Sequence, residues 1–253
     1  MTHTVLTSKT NGVLHIELNR PEKKNAITLE MYGLIADSLE SANHDKTVRA
    51  IIISGRGSCF TAGNDLADFL SNTGGLDDRI TRFIHAMPNC QKPIIAAIHG
   101  HTIGIGTTLL LHCDMVYADS SARLQLPFVN LGLCPEFGSS LLLPQLIGHR
   151  RAAELLLLGE AIDATKACEY GLINAVVDDA LGKAREQANK LSALPAASLR
   201  LTKSLIHQAD KDALIAIMET EGKAVAQQIQ SPEAREAMTA FMERRKPDFS
   251  QFD

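Results

Sequence analysis

The sequence predicts an α/β fold that ends in a helical region. Three observations carry this. Up to about residue 180, short apolar or β-branched runs alternate with segments of helical period, the order that builds a largely parallel sheet. Beyond that point the strand patterns stop and one helical stretch follows another. The length, 253 residues, suits one or two domains and a core that needs no disulfide or metal staple. We place an α/β core at residues 1–195 and a C-terminal helical region at residues 196–253.

The elements follow in chain order. Val13–Leu18 alternates as a half-buried strand does, and Asn19-Arg20-Pro21 ends it. Thr28–Asn43 is a predicted helix with Thr28 as N-cap and Leu29, Tyr32, Ile35, Ala36 and Leu39 on one face. Val48–Ser54 is a β-branched run, the pattern of a strand buried on both faces. Gly55–Gly63 is rich in Gly and Ser and forms a loop. A helix over about Leu76–Met87 comes next, and Pro93 opens a second buried strand, Ile94–Ile98. Gly100–Gly106 is expected to be a loop running into a helix, Thr107–His112. Met115–Ala118 and Arg123–Leu126 are short strands. Pro135 is expected to start a helix toward Leu143, because proline suits the first helical position. Ala180–Leu191, Ala196–Ala209, Asp212–Ile229 and Pro232–Arg245 complete the chain as helices.

Composition excludes several classes. A formal net charge of −4, with 8 Phe, 3 Tyr and no Trp, lacks the basic patches and stacking platforms of a nucleic-acid binder. Cys59, Cys90, Cys113, Cys134 and Cys168 are odd in number and contain no CxxC pair, so a zinc site or disulfide framework is not expected and a reducing interior is. Met1-Thr2-His3-Thr4 has no basic, apolar leader character. The most apolar stretch, Ile94–Ala118, is broken by His99, His101, His112 and Asp114, short of the ~18 apolar residues of a membrane span. Ser250-Gln251-Phe252-Asp253 is not a peroxisomal signal. A bacterial cytoplasm is the expected location.

Three constellations remain as carriers of chemistry. Thr61-Ala62-Gly63-Asn64-Asp65-Leu66 and Gly104-Ile105-Gly106-Thr107-Thr108 each follow a predicted strand. Two such loops, converging, would offer unpaired N–H groups to an oxyanion; tight turns explain the same glycines, so spacing leaves both readings open. Leu109 stands where a dinucleotide fingerprint needs its third Gly, and no phosphate loop occurs. Glu136, in Pro135-Glu136-Phe137-Gly138-Ser139-Ser140, is flanked by Leu131, Leu133, Phe137 and Leu141. A carboxylate beside apolar groups has a raised pKa and can serve as a base, although Glu near a helix start is also ordinary. The histidines lack metal-ligand spacing, so no metal site is expected, and no GxSxG elbow is present.

At these residues the sequence resembles the enoyl-CoA hydratase/isomerase (crotonase) superfamily. The matching blocks are Arg20-Pro21-Glu22-Lys23-Lys24-Asn25-Ala26, Cys59–Leu66, Gly100–Gly106 and Phe241-Met242-Glu243-Arg244-Arg245-Lys246-Pro247. The resemblance implies a spiral of ββα units, a C-terminal helical trimerisation region, and a homotrimer or dimer of trimers. It implies an acyl-CoA thioester substrate, coenzyme A being part of that substrate and no further cofactor needed. The thioester oxygen would be held by the N–H groups of Asn64 and Ile105. Lys23, Lys24, Ala26, Ala62, Asp65 and Leu66 would lie near the pantetheine and adenine, and Phe241 and Lys246 would reach a neighbouring subunit's CoA. Phe128, Leu131 and Phe137 would line the acyl pocket.

The departures shape the expected reaction. Hydratases of this superfamily carry two catalytic glutamates; here Thr108 and Phe128 stand at those positions. Pro135-Glu136-x-x-Ser139-Ser140 instead resembles the peroxisomal-type Δ3,Δ2-enoyl-CoA isomerases, in which that Glu is the single base. A ring-epoxide isomerase of phenylacetyl-CoA breakdown carries Asp at a similar place. The expected activity is an enoyl-CoA delta isomerisation. A hydratase using Glu136 differently, an aromatic acyl-CoA isomerase and a non-catalytic acyl-CoA-binding protein are the alternatives.

Overall fold

The computed structural model describes residues 3–65, 68 and 77–252. Strands β1 (Val5–Thr10) and β2 (Val13–Leu18) form an antiparallel hairpin. Asn11 and Gly12, both at positive φ, make its turn, the residue pair such tight turns favour. From β2 the sheet continues in parallel through β3 (Ala50–Gly55), β4 (Ile94–Ile98), β6 (Met115–Ala118) and β9 (Ala175–Val176). A second, three-stranded sheet pairs β5 (His101–Ile103) with β7 (Arg123–Gln125), and β7 with β8 (Ile162–Asp163).

The spiral arises where the chain steps from the first sheet to the second. β4 passes to β5 at Gly100, whose φ is +55°. A Cβ there would lie 2.3 Å from the Ser58 carbonyl oxygen, so only glycine fits the corner. His101–Ile103, expected to be loop, is therefore strand: Thr102 is fully buried and pairs with Leu124.

Both faces of the main sheet are covered, which explains its unbroken apolar strands. Ile51 and Ile53 of β3, with Ile94, Ala96 and Ile98 of β4, face a core shared with helices α1 (Leu29–His44) and α2 (Asp78–Ala86). Ala50, Ile52, Ile95 and Ala97 face the opposite way, onto Ala180, Ala184 and Ala188 of a later helix. Thr28 caps α1 by accepting the Met31 N–H, as its position before the apolar face predicts. Of the helix expected from Leu76, the part from Asp78 is described, with Asp77 as cap; Leu76 lies outside the described residues.

Helix α3 (Ile105–Thr108) passes into a 3-10 turn, Leu109–His112. α4 (Ser139–Ile147), α5 (His149–Leu158), α6 (Ala164–Tyr170) and α7 (Ala180–Ser192) follow. The helix expected from Pro135 begins instead at Ser139. Phe137 and Gly138 have φ of +57° and +75°, and two successive left-handed residues cannot continue a right-handed helix. From residue 196 on, α8 (Ala196–Gln208), α9 (Lys211–Gln228) and α10 (Pro232–Met242) are helical. α10 stops short of the expected Arg245, with Arg244 at φ +56°. No helix among the described residues is long and apolar enough to cross a membrane.

Candidate active site

The two Gly-bearing loops are stitched together by backbone. Thr61 forms a parallel bridge with Thr102: its N–H donates to His101 O at 3.0 Å, and its carbonyl accepts from Ile103 N at 3.1 Å. Thr61 Oγ1 donates to Asn25 O at 2.7 Å and accepts from Gly63 N at 3.1 Å, which fixes its rotamer. Gly106 sits against this side chain; a Cβ there would be 2.3 Å from Thr61 Cγ2.

Asn64 forms a second bridge, with Ile27. Ile27 N donates to Gly63 O at 2.8 Å and Ile27 O accepts from Asp65 N at 2.9 Å. In a parallel bridge the middle residue turns its own N–H to the other side, so the Asn64 N–H faces away from Ile27. The Ile105 N–H is the first of α3 and lies outside the helix ladder. Neither N–H donates to another group among the described residues. The Asn64 side chain is held separately, its Oδ1 accepting from the Tyr32 hydroxyl.

Glu136 lies across a cavity of about 60 Å³ lined by Tyr32, Asn64, Ile80, Ile84, Phe128, Leu133, Cys134, Phe137, Met218, Gly222 and Val225. It is the one carboxylate lining that cavity among the described residues. Burial is the main cause that pushes its pKa up, to about 7; the Thr108 hydrogen bond opposes this, and the nearby Glu221 charge adds to it. Thr108 Oγ1 donates to Glu136 Oε1 at 2.8 Å. Oε2 has no hydrogen-bond partner among the described residues. One carboxylate oxygen is therefore anchored while the other is open to exchange a proton. Burial, and then the charge of Glu136, also hold the Tyr32 phenol well above its ordinary value, so it stays a neutral donor.

The structure thus brings Glu136, Asn64, Phe128 and Phe137 to one cavity. Ile105 is buried on the adjoining loop, and Leu131 does not line the cavity; Leu133 does. Lys23 and Lys24 are exposed. Ala26 and Ala62 sit beside them, the Ala62 N–H donating to Lys24 O at 2.9 Å. Asp65 pairs with Arg20. Phe241 and Lys246 are exposed and do not line the cavity. Leu66 lies outside the described residues. Sequence reasoning missed Tyr32, Ile80, Ile84, Cys134, Met218, Gly222 and Val225 as cavity walls. The helical ones carry the same apolar spacing as core residues, so nothing local separates the two roles.

Two sheets joined at Gly100, two bridged loops and one buried carboxylate beside an apolar cavity define the class of this α/β fold. The model of the enoyl-CoA hydratase/isomerase family matches residues 8–252. A solved enoyl-CoA hydratase/isomerase from Pseudoalteromonas atlantica T6c superposes with a TM-score of 0.94 at 42% identity, covering 98% of this chain and 100% of that one. The 1,2-epoxyphenylacetyl-CoA isomerase of Escherichia coli K12 is 34% identical over 99% of this chain and 99% of its own length. Enoyl-CoA delta isomerase 2 of Rattus norvegicus is 33% identical over 95% of this chain, which spans 64% of that protein's length. The chain belongs to the enoyl-CoA hydratase/isomerase (crotonase) family.

Proposed function

We propose that this chain shifts the double bond of a 3-enoyl-CoA to give the trans-2-enoyl-CoA, with Glu136 as its single base. The observation that carries the reading is that Glu136 is the one carboxylate lining its cavity among the described residues. Glu136 stands in an apolar cavity, Phe128 lines the same wall, and Thr108 donates to Glu136 rather than adding a second acid. Activating and placing a water for hydration normally takes two carboxylates; a proton shift takes one.

The reaction runs as two proton transfers through one base. Glu136 Oε2 takes a proton from C2. The C2–H electrons become a C1–C2 double bond and the thioester oxygen gains the charge, conjugated with the C3–C4 double bond. The Asn64 and Ile105 N–H groups receive that oxygen; each such donor is typically worth ~10²–10³ in rate. The proton then returns from Glu136 to C4, the C2–C3 double bond forms, and the thioester carbonyl is restored. No water is consumed and the base ends as it began. Coenzyme A enters only as the thioester carrier, over Lys23, Lys24, Ala26, Ala62 and Asp65. The assembly is a homotrimer or dimer of trimers built by the C-terminal helices, in which Phe241 and Lys246 reach a neighbour's CoA.

The test is direct. Purified protein is mixed with 3-hexenoyl-CoA and, separately, with crotonyl-CoA. The products are identified by mass and by conjugated-enoyl absorbance. Conjugated product from the first alone supports the isomerase. Water addition to crotonyl-CoA without isomerisation overturns it. Glu136→Gln is expected to cut turnover by ~10²–10⁴ and leave CoA binding intact; turnover within tenfold of wild type removes Glu136 as the base. The end-to-end match to the E. coli epoxide isomerase favours a second reading, a ring thioester substrate. Preference for a bulky aromatic thioester over 3-hexenoyl-CoA would select it.

A further inference from the structure

The residue after the proposed base is held in a conformation its side chain disfavours. Phe137 sits at φ +57° and is followed by Gly138 at φ +75°. A peptide plane ahead of glycine flips easily, because glycine accepts either orientation. The Phe137–Gly138 plane begins one residue beyond Glu136, so its orientation sets how the chain leaves the base.

Two buried side chains grip this one plane from opposite edges. The His112 ring is 2.8 Å, through Nε2, from Phe137 O. A carbonyl only accepts, so Nε2 carries the hydrogen and donates. The same ring stacks on the Phe137 ring, with centroids 3.9 Å apart and planes at 25°. Burial pushes the His112 pKa down to about 4, so the ring is neutral at working pH. On the other edge, the Glu221 carboxylate accepts the Gly138 N–H, and it also accepts Ser140 N at 2.9 Å and the Ser140 hydroxyl. Glu221 is 5% exposed and comes from α9. Neither residue lines the Glu136 cavity, and the reaction steps above use neither.

We propose that His112 and Glu221 are positioning residues that clamp the Phe137–Gly138 peptide and so aim Glu136 at the substrate. The proposal rests on Glu136 being the base. It makes α9 part of the catalytic apparatus as well as a wall of the cavity: the base is aimed only when α9 is docked.

The test separates the donated hydrogen bond from packing. His112→Phe keeps the stacked ring and removes the donor; His112→Gln keeps an N–H at the reach of Nε2 and removes the ring. On 3-hexenoyl-CoA, His112→Phe is expected to lower kcat ~10–100-fold with KM within about twofold, the signature of a displaced base. His112→Gln is expected to recover kcat to within about fivefold of wild type. A kcat within twofold of wild type in His112→Phe overturns the proposal, as does equal loss in both variants. If His112→Phe does not fold, Glu221→Gln decides, read on the alkaline plateau where Glu136 is ionised with or without the Glu221 charge: loss in plateau kcat with KM unchanged supports the clamp, and an unchanged plateau overturns it. Glu136→Gln is run alongside. Its inactivity beside fully active His112→Phe and Glu221→Gln overturns the clamp alone, whereas its retained turnover overturns the base. A crystal structure of His112→Phe gives a reading independent of turnover. A flipped or doubled 137–138 plane supports the clamp, and an unmoved plane with an unmoved Glu136 side chain overturns it.

Discussion

The chemistry of the site turns on how one carboxylate is tuned. Glu136 has a folded pKa of about 7, raised chiefly by burial, and only its ionised form can take the C2 proton. On 3-hexenoyl-CoA, kcat/KM is therefore expected to rise with pH and level off, with a midpoint near 7 rather than in the usual carboxylate range. The Thr108 hydrogen bond favours the ionised form and lowers that pKa. Thr108→Val removes the donor, so the midpoint is expected to move upward by about one pH unit. Turnover at neutral pH falls with it, while the alkaline plateau changes less. A pH profile of both proteins checks this; an unmoved midpoint would show that the Thr108 contact does not tune the base. Thr108 also marks what the sequence can and cannot say. Its place in the family pattern identifies a missing glutamate, but no spacing rule shows that its hydroxyl reaches Glu136, 28 residues away. His112 and Glu221 escape for the same reason: apart from the Ser140 hydroxyl, their partners are a backbone carbonyl and N–H groups, which carry no sequence signature.

At the scale of elements, the oxyanion donors depend on two loops kept in register. Gly106 is the closest point of that contact, and Thr61 cannot turn aside without losing its bonds to Asn25 and Gly63. Gly106→Ala is expected to push the Gly104–Thr108 loop off the Thr61 bridge and spread the Asn64 and Ile105 N–H groups. Loss of one preorganised donor costs ~10²–10³ in kcat, and a fall of that order is expected without a matching rise in KM. Steady-state kinetics with a melting curve separates this from unfolding; a kcat near wild type would mean that the loops are not the oxyanion donors. The central strands of the main sheet were readable because they are buried on both faces. Ile94–Ile98 and Met115–Ala118 match their predicted bounds, and Ala50–Gly55 falls within two residues of its own. β1 was not readable, because it pairs only with β2 at the sheet edge and buries Val5 alone. β5 was hidden between Gly100 and Gly104, and the left-handed turn at Phe137 contradicts the helix-start preference of Pro135.

At the scale of the whole molecule, α8 links the core to the last two helices. Lys203 is buried; its Nζ donates to Lys92 O at 2.8 Å and pairs with Asp114 at 2.7 Å, fixing one side of the helix to the sheet. The other side is apolar and uncovered in the single chain: Leu201, Leu205 and Ile206 are 61%, 60% and 68% exposed. An amphipathic helix pinned by a buried ion pair does not leave such a face in water without cost, and a second copy of this chain is the occupant the proposed trimer supplies. Leu201→Asp with Leu205→Asp is expected to lower the mass measured by light scattering to that of one chain, while circular dichroism stays that of a folded protein. An unchanged oligomer would exclude this face from the assembly. The kinetics of the same variant carry the argument further. Met218, Gly222 and Val225 line the cavity from α9 of the same chain, and Glu221 of that helix accepts the Gly138 N–H, so a monomer retains Glu136, its clamp and both backbone donors. Phe241 and Lys246 are exposed and do not line that cavity; if they serve a neighbour's CoA, separation removes them from the site. The monomer is then expected to keep kcat within a few-fold and to raise KM for the CoA thioester about tenfold. The reverse pattern, a collapsed kcat with KM unchanged, would place part of the catalytic apparatus across the subunit boundary and overturn the single-chain site.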